Sequence, residues 1–527
     1  MLVDNPDALA NLASAPDRVV VIGAGAVGLH VAVEIANQGR EVVVLEAGNR
    51  RLDSFGEDAY EVVGRRHDGA RIGRSVALGG TSNLWGGQLV EYMPIDLEGR
   101  EWLDGSRWPI RFEELAAYYP RSYELLGVGA ESQRDESVWQ GIGKQPPSLG
   151  EGLEVILTRW MKVPNVASHF SKQIEENDNL RVVLESRMVG FSGDGERVTG
   201  VRVVDAAGGE HVIPGQDFVL AAGTIENARL LLHTAQQDDW QCPWRDNDNV
   251  GRYFQDHLGG RLAYIKPRNA RRFFDAFCTI VQRGGKFQPK VRVRNDVLNS
   301  QPILSNQAMI SFESSVKENL VFLKQFVKAA LSGQKVGSFW QLVKSLAACG
   351  RHMVPLMWKF VVEHRILIPS GSRISLTLQG EVLPLRESRV LIDSDQADAH
   401  GLPRALLDWR VDGRELQDIK DFVDRVRVAF DEAGLADLEV EPGLASLDPA
   451  FLNQLRDTNH PSGGCVMGES EEDGVVDKNL RVFGVENLYV AGASVFRTNS
   501  NANVTFTAMT LGTRLAEHLT QKSRAAG

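Results

Sequence analysis

The chain has 527 residues, 43% hydrophobic and 24% charged, the balance of a soluble globular protein long enough for two or more domains. Its formal net charge of −11 repels a phosphate backbone, so nucleic acid is excluded as an expected partner. Four scattered cysteines (Cys242, Cys278, Cys349, Cys465) show neither a disulfide framework nor metal-ligand spacing, so no metal is expected.

The opening stretch MLVDNPDALANLASAPD has no basic start and no apolar run. It reads as a flexible leader on a cytoplasmic protein. From Arg18 an apolar, β-branched run reaches Ile22, the pattern of a strand buried in a parallel sheet. Gly23, Gly25 and Gly28 follow at G-x-G-x-x-G spacing, then a helical stretch to about Gln38 that stops at Gly39. A second strand, 42–45, ends in Glu46, 18 residues after Gly28. Gly23 allows a tight turn, Gly25 lets the backbone approach a pyrophosphate, and Gly28 lets helix and strand pack closely. The helix N-terminus offers N–H groups to the phosphates, and Glu46 is placed to accept from a ribose hydroxyl. This motif alone does not choose between FAD and NAD.

Between Ala70 and Pro94, Gly79, Gly80, Gly86 and Gly87 frame a polar and aromatic centre. That density fits either a loop whose backbone approaches a ligand or plain turn structure. Residues 180–191 and 198–205 read as paired strands around a turn at 193–195. Residues 217–232 read as strand, turn at Ala222–Gly223, and helix from about Ile225. Near the end comes the strand-like NLYVAG, a Ser/Asn loop, and an amphipathic helix from about Thr507 to Leu519.

Residues 317–365 carry eight lysines or arginines against two glutamates, with apolar residues at helical spacing. Three readings stay open: helices packed on the second domain, a lid or oligomer contact, and a peripheral membrane surface. No apolar run approaches the roughly 18–20 residues of a spanning helix.

Taken together, these blocks resemble the glucose-methanol-choline (GMC) family of FAD-dependent alcohol oxidases and dehydrogenases. The likeness rests on VVVIGAGAVG, VVVLEAG, GGTSNLWGG, FVLAAGTIENARLLL, NVGRYFQDH, HPSGGCVMG and NVTFTAMTLGTRLAEHL, in the family's order. It implies an α/β protein, α+β overall, with a discontinuous Rossmann-like FAD-binding domain over 17–260 and 451–527. The remainder, 261–450, would be a substrate-binding domain with an antiparallel sheet and a helical insertion at about 317–365.

Carried onto this sequence, the resemblance places FAD against Gly23, Gly25, Ala26, Gly28, Glu46, Ala47, Gly79, Gly80, Ser82, Asn83, Trp85, Gly86, Gly87, Met188, Ala222, Gly223, Gly492, Ala493, Val504 and Thr505. Some relatives attach FAD covalently through a histidine where this chain has Leu84, which has no nucleophilic nitrogen, so the FAD is expected to be non-covalent. His460 falls on the family's active-site histidine and Asn503 on its second position. The family's usual N-P-x-x-T reads N-V-T-F-T here, so Val504 replaces the register-setting proline and Asn501 is a rival to Asn503.

The implied reaction removes hydride from a CH–OH group to flavin N5. His460 takes the hydroxyl proton, and Asn503 donates a hydrogen bond to the same oxygen. His257 reads as a structural histidine and Cys465 as packing. WPIRFEELAAYY and LPRALLDWRV resemble sugar-active bacterial members, which points to a ring hydroxyl of a sugar or glycoside as substrate. HPSGGCVMG also resembles the cholesterol oxidase motif, which keeps a sterol or other lipid alcohol as the alternative. A non-catalytic flavoprotein subunit is the reading from another class, disfavoured because holding the fold needs neither His460 nor Asn503.

Overall fold

The computed structural model describes residues 2–3, 9, 12, 16–51, 59–129, 135–282, 284–313, 340, 344, 358, 363–365, 368 and 371–526. The expected insertion at 317–365 lies almost wholly outside these residues. No helix among the described residues is long and apolar enough to cross a membrane.

A six-stranded sheet runs in the order Leu2–Val3, Leu180–Val183, Val42–Leu45, Val19–Ile22, Asp217–Leu220, Leu488–Val490, with every neighbour parallel. The runs VVVI, VVVL, DFVL and LYV are buried at every position, as strands covered on both faces must be. The helix Ala26–Asn37 follows the first of these strands and packs against the closing helix Val504–Ala526. A Cβ added at Gly512 would lie 2.6 Å from Val31 Cγ2, so this helix pair meets at close range. From the strand Val19–Ile22 the chain moves to Val42–Leu45 on one side and later returns to Asp217–Leu220 on the other. A crevice therefore opens at its carboxyl end, where such sheets bind ligands.

A nine-stranded sheet forms the second layer, ordered Ala436–Val440, Leu258–Pro267, Arg373–Gly380, Asn306–Glu313, Gly285–Val293, Leu153–Trp160, Gln88–Leu89, with Ile280–Gln282 and Arg456–Asp457 off this path. All its pairings are antiparallel. In register, Lys290 faces Met309, and Met309 faces Thr377. Gln379 lies two residues beyond Thr377, so period-two alternation puts all four on one face.

The layers interleave more than a division at 261 and 450 would allow. Gln88–Leu89, Leu153–Trp160 and Arg456–Asp457 join the antiparallel sheet although they fall in the blocks expected to be nucleotide-binding. Conversely, Arg389–Ala397 pairs with Pro403–Asp408, Pro403–Asp408 pairs with Tyr60–Val62, and the two longer strands pack on the helix Thr224–Ala235. Pairing is decided by which edges meet in space, not by chain order.

Residues 180–191 are not one strand. They divide between the parallel sheet and a hairpin, Arg187–Asp194 with Arg197–Val204, because Glu185 adopts a left-handed φ of 51° between them. The closing helix begins at Val504, three residues before the expected start at Thr507.

Candidate active site

The G-x-G-x-x-G turn shows why its glycines are needed. Gly23 has φ 102°, and a Cβ there would sit 2.6 Å from the Ala221 carbonyl oxygen. A Cβ at Gly28 would sit 2.0 Å from the Gly23 oxygen, so the helix is seated on the turn itself. Gly25 caps that helix with no side-chain bond, which leaves its first N–H groups facing the crevice. Glu46 is buried, and its oxygens accept the N–H groups of Ala24 at 2.8 Å and Gly48 at 2.9 Å. Burial pushes its carboxyl up, against those two hydrogen bonds.

The glycine-rich loop presses directly on this turn. Gly79 and Gly80 have φ of 92° and 52°, and a Cβ at Gly80 would lie 2.7 Å from Gly25 Cα. Asn83 Nδ2 donates to Ser75 Oγ, the Leu78 oxygen and the Gly80 oxygen. Ser82 Oγ donates to the Gly79 oxygen and accepts the Val166 N–H. Trp85 Nε1 donates to the Pro164 oxygen at 2.7 Å.

Two adjoining cavities share Ala26, Thr81, Asn459 and Thr505 on their walls. The first, about 280 Å³, is lined by Gly23, Gly25, Glu46, Ala47, Gly80, Met188, Ala222, Gly223, Gly492, Ala493 and Val504. Sequence reasoning missed Tyr60, Arg74, Arg187 and Glu226 on its wall. The second, about 700 Å³, is lined by Ser82, Leu84, Trp85, Gly86, Gly87, His460 and Asn503. Gly28, Gly79 and Asn83 line neither and build the walls from behind. A glycine turn open to the crevice, an uncapped helix N-terminus and a buried carboxylate beyond the second strand suit the pyrophosphate and ribose of FAD. The second cavity leaves room for the ring end beside His460.

His460 is held by Asp256, His257, Thr458 and Asn503. Asp256 is fully buried and accepts the backbone N–H of His460 at 3.0 Å and of Thr458 at 3.1 Å. Burial would push its carboxyl up, but the hydrogen bond and charge of His67 hold it below its usual range. The His460 Nδ1 lies 2.8 Å from Thr458 Oγ1 and 3.1 Å from His257 Nδ1. Its Nε2 lies 2.8 Å from Asn503 Nδ2.

These contacts assign the tautomers. His257 Nε2 lies 2.9 Å from the Asn499 carbonyl, which only accepts, so His257 carries its proton there and presents a lone pair at Nδ1. An amide nitrogen only donates, so His460 Nε2 is a lone pair as well, and the His460 proton sits on Nδ1. Burial, followed by the neighbouring His257, lowers the His460 pKa to about 3. The imidazole is therefore neutral, with its basic nitrogen at the cavity.

Asn503, not Asn501, stands beside His460. The Asn501 side chain turns away to Ser305 Oγ, and its carbonyl accepts from the amides of Gln307 and Gln379. His257, read from the sequence as structural, lies directly behind His460. Lys290 was missed altogether, because a lysine in an alternating strand reads as a solvated face. Its Nζ donates to Gln379 Oε1 at 3.1 Å and Asn503 Oδ1 at 3.3 Å. Cys465 is buried, and burial pushes its thiol up, which suits packing rather than nucleophilic chemistry.

His67, Asp256 and Asp457 bring potential ligand atoms within 4.8 Å of one another. The chain's own hydrogen bonds engage them: His67 Nδ1 accepts the Ala70 N–H, and Asp457 accepts those of Asp68 and Gly69.

Residues 384–512 match the family model described as GMC oxidoreductase, and residues 4–73 match that of pyridine nucleotide-disulphide oxidoreductase. The chain is 23% identical to a 2-methyl-1,2-propanediol dehydrogenase of Mycolicibacterium austroafricanum, over 96% of this chain and 95% of that protein. It is 23% identical to a paromamine 6'-oxidase of Streptomyces fradiae, over 93% and 88%. It is also 23% identical to a fructose dehydrogenase large subunit of Gluconobacter japonicus, over 61% of this chain and 50% of that protein. In fold it resembles the crystal structure of a pyridoxine 4-oxidase from Mesorbium loti, with TM-score 0.61 and 18% identity over 95% of this chain and 99% of that one.

Proposed function

We propose that this chain, an FAD-dependent oxidoreductase of the GMC family, oxidises a ring hydroxyl of a sugar or glycoside, with His460 as base and Asn503 as its hydrogen-bonding partner. The observation that carries this reading is the convergence of the His460 lone pair and the Asn503 amide, 2.8 Å apart, on the wall of the larger cavity.

A hydroxyl entering there takes the place of Asn503 Nδ2 on the His460 Nε2 lone pair, donating its proton to it and accepting from the displaced amide. Bound FAD supplies the acceptor for the hydride. A carbinol carbon that gives up hydride leaves positive charge on its C–O unit unless the proton goes with it or before it, and when the proton leads the oxygen carries partial negative charge. His460 takes that proton and Asn503 stabilises the charge that remains. The resulting imidazolium keeps its Nδ1–H on Thr458 and His257, so the ring does not have to turn. Asp256 favours the charged ring from behind.

The preference for sugars rests on the cavity wall. Gln88, Thr377, Gln379 and Lys290 present donors and acceptors to a molecule with several hydroxyls, and Trp85 and Trp160 offer faces to its C–H surfaces. A sterol would set apolar surface against that wall and leave the third N–H of Lys290 without a partner. Relatives named for fructose and paromamine agree with this choice.

The test is anaerobic mixing of holoenzyme with neutral methyl glycosides, a short diol and cholesterol, following flavin bleaching. Glycosides should bleach it, and His460→Ala should keep FAD yet slow bleaching by about 10²-fold or more. Bleaching by sterol or diol but by no sugar overturns the substrate class. Undiminished bleaching in the variant overturns the base.

A further inference from the structure

Lys290 is a buried amine with no anion beside it. Its side chain belongs to a residue only 2% exposed, and among the described residues no carboxylate oxygen lies within 4.0 Å of Nζ. Its partners are two amide oxygens, of Gln379 and Asn503. An ammonium has three N–H donors, so one remains for the cavity that Lys290 lines.

A structural role explains this poorly. Two amide oxygens need only neutral donors, and a buried charge without a counter-charge is among the costlier arrangements in a protein interior. Lys290 also sits on the row Lys290–Met309–Thr377, the sheet face turned toward His460, not on the face backed by the helix Glu415–Glu432.

We propose that Lys290 receives a carboxylate of the substrate, so that the preferred alcohols are acidic sugars or glycosides of the uronic acid class. This rests on the sugar reading above and names the class within it. Lys290 and the base touch opposite ends of one amide: Nζ reaches Asn503 Oδ1, and Asn503 Nδ2 reaches His460 Nε2. A carboxylate on Lys290 thus belongs to the same molecule as the hydroxyl on His460.

Binding and chemistry are coupled through that charge. Lys290 is one of the groups that depress the proton affinity of His460. A carboxylate seated on Lys290 cancels its field, and the base strengthens when an acidic substrate is in place. A single lysine among amides matches one carboxylate. A phosphate dianion would call for an arginine fork or several N–H groups.

The test uses holoenzyme and the matched pair methyl glucoside and methyl glucuronide, which differ at the carboxylate, with glucose 6-phosphate as a third arm. Anaerobic flavin bleaching should saturate at about tenfold or more lower concentration with the glucuronide. Lys290→Met and Lys290→Gln should bring that ratio near one, and Lys290→Arg should keep it above one. No preference in the wild type, a preference that survives in the Met and Gln variants, or a stronger one for the phosphate overturns the assignment. Acetate serves as an independent probe: it should perturb the flavin spectrum of wild type and of Lys290→Arg but not of Lys290→Gln. If no glycoside bleaches the flavin, the sugar reading falls and the acetate result alone decides Lys290, absence of any perturbation overturning it.

Discussion

Replacing Lys290 by methionine gives a stability change whose sign depends on pH. Methionine keeps most of the length of the stem and removes the amine. Burial lowers the Lys290 pKa from its usual 10.5 to about 7, which corresponds to about 5 kcal/mol against the folded state when the amine is fully charged. The variant leaves the oxygens of Gln379 and Asn503 without that donor, at about 1–3 kcal/mol each. A depressed lysine binds fewer protons folded than unfolded, so its penalty is complete below about pH 7 and fades as pH rises toward 10.5. Between pH 6 and pH 9.5 the variant's advantage should therefore fall by about 3 kcal/mol, whatever the lost hydrogen bonds cost. For a chain this long 1 kcal/mol moves Tm by about 1 °C, so the Tm difference between variant and wild type should shrink by about 3 °C over that range. Calorimetry at matched FAD saturation measures it, since bound cofactor itself raises Tm. A difference that stays flat or grows with pH refutes an uncompensated buried ammonium.

Two further outcomes follow from the cofactor cavity. Leu84 lines the larger cavity and offers no nitrogen to the flavin, so acid precipitation should release the yellow colour into the supernatant, and colour kept in the pellet contradicts non-covalent FAD. Gly80→Ala places a Cβ 2.7 Å from Gly25 Cα at a φ of 52°, so it should raise the Kd for FAD about tenfold or more by fluorescence titration; unchanged affinity would separate that loop from the cofactor.

The nucleotide-binding turn was legible because its determinants are neighbours in the chain. Strand, glycine turn, helix and acidic residue all fall between Val19 and Glu46, and each glycine answers to a clash visible in the fold. His460 was reached only through the resemblance, since one histidine among 11 has no local mark of chemistry. What escaped were partners made in space. His257 and His460 are 203 residues apart, and Lys290 and Asn503 are 213 apart. The choice between Asn501 and Asn503 needed the helix start at Val504, where proline is favoured at a first helical position and valine leaves no trace in the sequence. The domain boundaries failed to mark the sheet edges for the same reason: Leu153–Trp160 pairs with Gly285–Val293, across an entire nucleotide-binding excursion.

Neutral hydrogen-bonding groups decide where the proton of each imidazole sits. Several groups converge on His460: Asp256–His257 holds its backbone and one ring nitrogen, Thr458 accepts from the same nitrogen, the Asn499 carbonyl fixes His257, and Asn503 donates to the remaining lone pair. A carbonyl cannot donate and an amide nitrogen cannot accept, so the two ends of this chain leave one tautomer for each ring. That economy has a consequence for base strength. A strongly basic histidine would stand protonated in neutral solution and could not accept from an alcohol. Depressed to about 3, His460 is neutral across the physiological range and ready at every encounter. Its weakness is made good only when the departing hydride makes the substrate O–H strongly acidic, and when an anion cancels the neighbouring Lys290. The proton then moves because the chemistry draws it, and unproductive deprotonation of bound alcohols is avoided.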